Sequence, residues 1–246
     1  AGDAVSGGSA GAGGGTTGGA GTGGGGSAGG DTAGTGGIPM SEDGELIDNM
    51  EDNDAAIFPL HGRNGYWYTG GDLTAGAKLT PPTGAFAMTE LPVGDRSDYA
   101  ASVKAENFTD WGSDIGFNFA EKSGPQAWDA TGFCGLRFWG KALAAVTLNF
   151  RVPDASTHPA GGVCKDPPGA AGTACYDHFG IAVAFGKTWM QYSFKFTDLT
   201  QTGTGYHPAS GKLDPKKLYA VEWALPGQTA KTHQIWIDDV ELVKCA

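Results

Sequence analysis

Two groups of carboxylates lie near opposite ends of the aromatic-rich part of the sequence, and both could bind a cation. The first contains Glu51 and Asp52, within ELIDNMEDND. The second contains Asp238 and Asp239, within QIWIDDVELVKC. Because side chains alternate along a strand, Asp238 is predicted to point inward together with Val240. An inward carboxylate is costly unless a cation compensates its charge.

Calcium is the cation that this arrangement favours. Glu51 lies at the end of the predicted first strand, and the first strand of a sandwich often runs near the last. Carboxylates from two such strands, with loop carbonyls, form the hard oxygen cage that Ca²⁺ prefers. We therefore expect a structural calcium between Glu51 and Asp238. Two alternatives remain: solvated surface charges, or a catalytic acid and base, which would need an open cleft between them.

The four cysteines, Cys134, Cys164, Cys175 and Cys245, suit two disulfides. Cys164 and Cys175 flank KDPPGAAGTA, a loop too rich in Pro and Gly for a helix or strand, and a bridge between them would pin it. Cys134 would then pair with Cys245. Because no spacing resembles a pair of zinc ligands, we favour two bridges over the alternative of four free buried thiols. Two disulfides would indicate an exported protein, extracellular or at the cell surface.

Residues 1–37 differ in composition from the rest of the chain. They consist mainly of Gly, Ala, Ser and Thr, and they contain no aromatic residue, Lys or Arg. Such a segment buries too little apolar surface to offset the entropy of ordering it. It is predicted to be a flexible linker. The alternative is an arm that packs against copies of the same chain, because glycine lets backbones approach closely.

The overall charge excludes two classes of partner. The chain carries a net charge of −11 and has no cluster of Lys or Arg. It therefore lacks the electrostatic footprint of a nucleic-acid-binding protein. No apolar run approaches the ~20 residues that a membrane-spanning helix needs. We expect neither a nucleic-acid partner nor a membrane span.

The pattern from residue 38 onward is typical of an all-β domain. Short apolar or alternating segments are separated by Gly, Pro, Asp and Asn. The segment 145–152 alternates strictly, with one apolar face formed by Val146, Leu148, Phe150 and Val152. Such period-two segments predict strands. Residues 38–246 are predicted to form a two-sheet antiparallel β-sandwich, or jelly roll, preceded by the Gly-rich N-terminal arm.

Of the five histidines, His178 has the most suggestive position. It follows Cys175 in CYDHFG, so a disulfide would hold it in place. We interpret it as a hydrogen-bond donor to a polar ligand. The alternative is an ordinary surface histidine.

Four segments resemble carbohydrate-binding modules of the family 11 type, within the galactose-binding-like jelly rolls. They are LIDNMED, SVKAENFTDWGSDIGFNF, WDATGFCGLRFWGKA and IWIDDVEL. The resemblance spans roughly residues 44–243. It implies a two-sheet jelly roll with a structural calcium near the first and last strands, which suits Glu51 and Asp238, with Asp52 as a weaker third ligand.

The resemblance also implies a concave sheet that binds a glucan chain through aromatic and polar side chains. By alternation, Arg137 and Trp139 oppose Phe138 on one strand, while Asn149 and Arg151 oppose the core on another. We place these four side chains, together with Lys141, on the concave face. A one-residue error would exchange Phe138 and Trp139. The triplet Tyr66–Tyr68 contributes Trp67 or its neighbours to a sugar site, because alternation sends them to opposite faces.

The sequence therefore predicts an exported, non-catalytic domain that binds polysaccharide or another glycan. An alternative is a subunit of an extracellular filament or surface layer, in which residues 1–37 contact neighbouring copies and head-to-tail contacts propagate. A third, minor hypothesis is a glycan-active enzyme. That hypothesis needs two carboxylates facing each other across a cleft.

Overall fold

The structure is a computed structural model that describes residues 43–228 and 230–245. The Gly-rich arm of residues 1–37 lies outside the described residues, so its role as a linker or assembly arm stays a prediction. The described chain is an antiparallel two-sheet β-sandwich, which confirms the predicted fold class. Within it, no helix has the length and apolar character that crossing a membrane requires.

The described residues form fourteen strands and three short 3₁₀ helices. The strands are β1 (Gly44–Asp48), β2 (Trp67–Gly71), β3 (Lys78–Thr80), β4 (Thr89–Glu90), β5 (Tyr99–Glu106), β6 (Ser113–Asn118), β7 (Ala120–Glu121), β8 (Pro125–Gln126), β9 (Phe133–Ala142), β10 (Val146–Val152), β11 (Phe179–Phe185), β12 (Met190–Lys195), β13 (Ala220–Leu225) and β14 (Thr232–Lys244). The 3₁₀ helices are η1 (Pro159–Gly161), η2 (Phe196–Asp198) and η3 (Pro215–Lys217).

Two sheets carry the sandwich. The five-stranded sheet has the order β11-β10-β13-β6-β2, and the seven-stranded sheet has the order β12-β9-β14-β5-β3, with β1 added to β14 and β4 added to β5. The short strands β7 and β8 form a separate hairpin. Neighbouring strands in both sheets are antiparallel, so alternate side chains of each strand point to the core or to the outer face.

The core between the sheets is rich in aromatic rings. Phe138 on β9 meets Trp223 on β13 edge to face, with ring centroids 5.0 Å apart. Phe150 on β10 lies against the same indole at 5.6 Å. The alternation predicted for β10 is observed, because its four apolar residues are buried while Thr147 and Asn149 are exposed. Large rings from both sheets therefore fix the spacing between them.

Strand β14 contains a bulge that overturns one prediction. Ile237 and Val240 are both fully buried, and the pairing of β14 with β9 shifts between Asp238 and Glu241. Asp239 has a φ of 45°, in the left-handed region. The extra residue changes the parity of the strand, so Asp238 faces outward with Trp236 rather than inward with Val240. Asp238 is nevertheless buried, because the segment before β5 covers it.

Both predicted disulfides are present. Cys164–Cys175 closes the loop between η1 and β11, and Cys134–Cys245 ties β9 to the residue after β14. The two ends of the described domain also meet, because Gly44 pairs with Val243 and the Lys244 amide donates to the Asp43 carbonyl at 2.9 Å.

Candidate functional site

Charged side chains gather on the outer face of the five-stranded sheet, although a sheet centre usually favours apolar residues. Three adjacent strands each contribute one: Asp114 from β6, Glu222 from β13 and Arg151 from β10. Arg151 lies directly opposite Glu222, and Ala224 lies opposite Asp114. Tyr68 joins them from β2. We call Tyr68, Asp114, Arg151 and Glu222 the polar cluster.

One guanidinium serves both carboxylates of the polar cluster. Nη2 of Arg151 lies 2.8 Å from Oε2 of Glu222, as an ion pair rather than an aligned hydrogen bond, and 3.3 Å from Oδ2 of Asp114. The Tyr68 hydroxyl donates to Oε1 of Glu222 at 2.9 Å. All three charged side chains are largely shielded from solvent. The positive charge is thus shared between two partners in a medium that screens charges weakly.

The two carboxyl groups that share Arg151 have pKa values shifted in opposite directions. Burial, together with the charge of Glu222, raises the pKa of Asp114 to about 7. Burial also opposes ionisation of Glu222, but the nearby Arg151 outweighs it, so the pKa of Glu222 is lowered. Burial and the charge of Glu222 raise the pKa of Tyr68 well above its usual value. Glu222 is therefore the more acidic of the two carboxyl groups, and Tyr68 stays a hydrogen-bond donor.

His178 completes one side of the cluster. Its ring is buried, with Nδ1 2.9 Å from the Thr157 hydroxyl and Nε2 4.0 Å from Glu222 Oε2. Burial lowers the pKa of His178 to about 4. The ring is therefore neutral near pH 7 and can donate or accept a hydrogen bond according to its tautomer.

Two loops build a wall beside the cluster. The Asp177 carboxylate accepts hydrogen bonds from the amides of Thr202, Gly203 and Gly205, and from the Thr202 hydroxyl. These bonds hold the loop after β12 against the segment that carries Cys175. Between the loops and the sheet lies a cavity of about 420 Å³, whose lining includes Asn149, Arg151, Tyr176, His178, Ala182 and Gln201.

Small residues keep the floor of this face open. A Cβ at Gly116 would lie 2.4 Å from the Val221 carbonyl and 3.2 Å from both the Glu222 side chain and the Tyr68 hydroxyl. A Cβ at Gly70 would lie 2.5 Å from Oδ1 of Asp114. Glycine at both positions therefore leaves room for the polar cluster to assemble.

The structure brings together only some of the predicted ligand-binding residues. Asn149, Arg151 and His178 line the same cavity. Arg137 and Trp139 lie on β9, on the outer face of the other sheet, because β9 belongs to the seven-stranded sheet. Trp67 is only 3% exposed and stacks on Trp223 in the core, so its ring is not accessible to a sugar.

The residues predicted to bind calcium do not form a cage in the described chain. Glu51 accepts hydrogen bonds from the amides of Asp98 and Tyr99, and Asp238 accepts one from the Ser97 hydroxyl at 2.6 Å. Asp238 already has a cationic partner, since Arg96 Nε lies 3.2 Å from its carboxylate. Asp52 contacts the amide of Asp54.

No group of three or more His, Cys, Asp or Glu side chains in residues 43–228 and 230–245 could hold a metal ion. Arg96 supplies a positive charge beside Asp238. Calcium binding stays a prediction that rests on the sequence alone.

Three members of the polar cluster were not singled out by sequence reasoning. The signal for two of them was present: Asp114 alternates with Ile115 and Phe117, and Glu222 alternates with Val221 and Trp223, both fully buried apolar pairs. The same period-two argument that found Arg151 applies to both. Tyr68 was one of two alternatives in its triplet, and the burial of Trp67 decides between them.

Comparisons with known proteins bear on the fold. No protein-family model and no curated protein matches the sequence. The family 11 carbohydrate-binding module of the cellulosomal cellulase Lic26A-Cel5E of Clostridium thermocellum is similar in structure, with a TM-score of 0.53 and 13% identity over 84% of this chain and 97% of that chain.

Two further structures show the same similarity. The family 11 module from Clostridium thermocellum in complex with a β-1,3-1,4-mixed-linked tetrasaccharide has a TM-score of 0.51 and 14% identity, covering 84% of this chain and 98% of that chain. A family 30 carbohydrate-binding module has a TM-score of 0.50 and 10% identity, covering 82% and 87%. The chain therefore has the fold of family 11 and family 30 carbohydrate-binding modules.

Proposed function

We propose that this chain is a non-catalytic, exported domain that binds a polysaccharide chain on the outer face of its five-stranded sheet. The observation that carries the proposal is the polar cluster beside an open cavity of about 420 Å³. The fold shared with carbohydrate-binding modules supports the same function. Two disulfides support export to an oxidising compartment.

The cavity offers the donors and acceptors that sugar hydroxyls require. Asn149 is exposed at its edge and carries both a donor and an acceptor. Among the described residues, Arg151 Nε and Gln201 Oε1 are buried without a hydrogen-bond partner. Buried polar atoms of this kind are rare unless water or a ligand satisfies them. They therefore favour a polar, hydroxyl-rich ligand over an apolar one.

Tyr176 supplies the aromatic surface of the site. Its side chain is 55% exposed and packs edge-on against His178, with ring centroids 6.0 Å apart. Its hydroxyl donates to Asp166 at 2.5 Å, which fixes the ring. A rigid exposed ring beside polar groups suits the apolar C–H face of a pyranose and its equatorial hydroxyls. Tyr176 is therefore the side chain on which we expect a sugar to stack.

The geometry of the carboxylates favours binding over catalysis. Asp114 and Glu222 have pKa values shifted in opposite directions, as a catalytic acid and base would. However, the Arg151 guanidinium lies between them and contacts both. A glycosidase pair must instead flank the bond to be cleaved.

Calorimetric titration tests this function. The probe is a β-1,3-1,4-mixed-linked glucan tetrasaccharide, the ligand that the similar family 11 module binds in its complex. Asn149→Ala and Tyr176→Ala are both exposed, so they should fold normally, and each should weaken binding about tenfold. Thr147→Ala is the matched control, since Thr147 lies on the same strand and face as Asn149 but does not line the cavity.

Two results would contradict the proposal. One is unchanged affinity in both cavity variants. The other is a wild-type protein that binds neither this tetrasaccharide nor any soluble glucan, mannan or xylan in a broad panel.

A further inference from the structure

The outer face of the seven-stranded sheet carries a second, different concentration of aromatic side chains. Trp139, Trp189 and Trp236 all lie there and are partly exposed. The pairing of Met190 with Gly140 sets Trp189 beside Lys141, and Lys141 lies opposite Trp236 on β14. Trp189, Lys141 and Trp236 thus form a line across three strands, which we call the tryptophan row.

Lys141 holds the tryptophan row together. Its ammonium lies 4.7 Å from the centre of the Trp189 ring and 5.3 Å from that of Trp236. Asp95 accepts from Lys141 Nζ at 2.6 Å and from the Trp189 indole N–H at 2.6 Å. These contacts fix the Trp189 ring through two polar groups. Such rings form a rigid surface that loses little entropy when a ligand binds.

The adjacent part of the face is built in the same way. The Arg96 guanidinium lies 3.9 Å from the centre of the Trp139 ring and pairs with Asp238 and Asp239. Lys141 pairs with Asp95. Each cation beside an indole therefore has a carboxylate partner. Because the charges are matched, the face favours a neutral ligand rather than a phosphate, a sulfate or a nucleic acid.

The spacing of the row fits an extended chain of sugars. Trp189 directly precedes β12 and Trp236 lies on β14, with β9 between these two strands. Lys141 Nζ lies 4.7 Å from one ring centre and 5.3 Å from the other, so the two centres are at most about 10 Å apart. This distance is close to the two-sugar repeat of an extended β-linked polysaccharide. Alternate pyranose rings could therefore stack on the two indoles, while Asp95 and Lys141 contact the hydroxyls between them.

We infer that the tryptophan row is a second polysaccharide-binding surface, suited to the flat face of an insoluble β-linked chain. It is independent of the cavity on the five-stranded sheet, since the two lie on opposite faces of the sandwich. One domain could then bind a single soluble chain on one face and a polysaccharide surface on the other.

Depletion of the full chain by insoluble polysaccharide tests the inference. The probes are microcrystalline cellulose and chitin particles. The double variant Trp189→Ala/Trp236→Ala should weaken binding to the particles at least tenfold. Trp111→Ala is the matched control, because Trp111 is 50% exposed and outside the row, and it should bind as the wild type does. Binding of the soluble mixed-linked tetrasaccharide should not change in either variant.

A second pair of variants protects the test against misfolding. Trp189→Phe and Trp236→Phe keep a ring in place, and each should weaken binding about threefold while circular dichroism stays unchanged. Three results would overturn the inference. They are a wild-type protein that binds neither particle, tryptophan variants that bind as tightly as the wild type, and a wild-type dimer that the double variant converts to a monomer. The last would assign the face to self-association.

Discussion

The two outer faces of the sandwich handle charge in different ways. On the five-stranded sheet, two buried carboxylates share one cation, and Arg151 Nε is buried without a hydrogen-bond partner among the described residues. On the seven-stranded sheet, Lys141 and Arg96 each have carboxylate partners and an indole beside them. The first face is a network with unmet hydrogen-bonding capacity, whereas on the second each of these cations is paired with a carboxylate. The difference suits a selective cavity on one side and a broad contact surface on the other.

The two disulfides should differ in how much each contributes to stability and to ligand binding. Cys134–Cys245 joins residues 111 apart, and Cys164–Cys175 joins residues 11 apart. Because the longer bridge constrains the unfolded chain more, Cys134→Ser/Cys245→Ser should lower the free energy of unfolding by about 4 kcal/mol, and Cys164→Ser/Cys175→Ser by about 3 kcal/mol. Urea denaturation measures both.

Only loss of the Cys164–Cys175 bridge should affect the cavity, because Cys175 directly precedes Tyr176, Asp177 and His178. We expect Cys164→Ser/Cys175→Ser to weaken binding of the mixed-linked tetrasaccharide and Cys134→Ser/Cys245→Ser to leave it unchanged. The reverse pattern would show that the loop wall does not shape the site.

Removing the shared cation should have the next largest effect. Arg151→Ala leaves Asp114 and Glu222 buried side by side, so the free energy of unfolding should fall by about 3 kcal/mol. Arg137→Ala is the matched control on the other face, since the two arginines are similarly exposed, at 21% and 18%. Its partners are Asp43, which is 65% exposed, and Glu241, which is 19% exposed but has no second carboxylate buried beside it among the described residues, so loss of Arg137 should cost about 1 kcal/mol. Equal losses in the two variants would remove the contrast between the faces.

The raised pKa of Asp114 gives a pH-dependent test of the polar cluster on the five-stranded sheet. Its pKa is raised from 3.8 to about 7 on folding, so its contribution to stability is present below pH 4 and is lost as the pH rises to 7. Asp114→Asn removes this dependence. Relative to the variant, the wild type should lose about 3 kcal/mol between pH 4 and pH 7. Parallel pH profiles of the free energy of unfolding would contradict the assignment.

His178 acts in the opposite direction but is present in both proteins. Its pKa is lowered to about 4, so its contribution is present above pH 6.5 and is lost as the pH falls towards 4. The comparison of wild type with Asp114→Asn therefore cancels the contribution of His178.

Chelation should have the smallest effect. Arg96 already compensates Asp238, so excess EDTA is expected to change the melting temperature by less than about 1 °C. A fall of several degrees that added Ca²⁺ reverses, and that Asp238→Asn abolishes, would instead establish the calcium site predicted from the sequence.

Alternation predicted much of the fold and the outward direction of Arg151, Asn149 and Arg137. It could not predict which sheet each strand would join, because both sheets present an outer face to solvent. Arg137 and Arg151 therefore lie on opposite sides of the sandwich although their strand patterns are alike. The sheet to which a strand belongs depends on pairings between residues far apart in the chain.

Two other differences between the sequence predictions and the structure have local causes. The bulge at Asp239 changes the parity of β14, and a non-glycine residue with a positive φ gives no warning in the sequence. In the triplet Tyr66–Tyr68, alternation left two choices of face. Packing of Trp67 against Trp223 and Phe117 in the core decides between them, and such packing depends on strands that the triplet itself does not specify.

The meeting of the two ends of the described domain has a mechanical consequence. A force applied at residues 43 and 245 would act on one corner of the seven-stranded sheet, where β1 and β14 pair in antiparallel register. Under such a force, the hydrogen bonds between β1 and β14 would break one after another. Cys134–Cys245 diverts the load from β14 into β9, which lies between two other strands. The bridge does not span β1 and β14, so these strands should separate in both redox states; the oxidised bridge then keeps the end of β14 tied to β9, and reduction removes that tie.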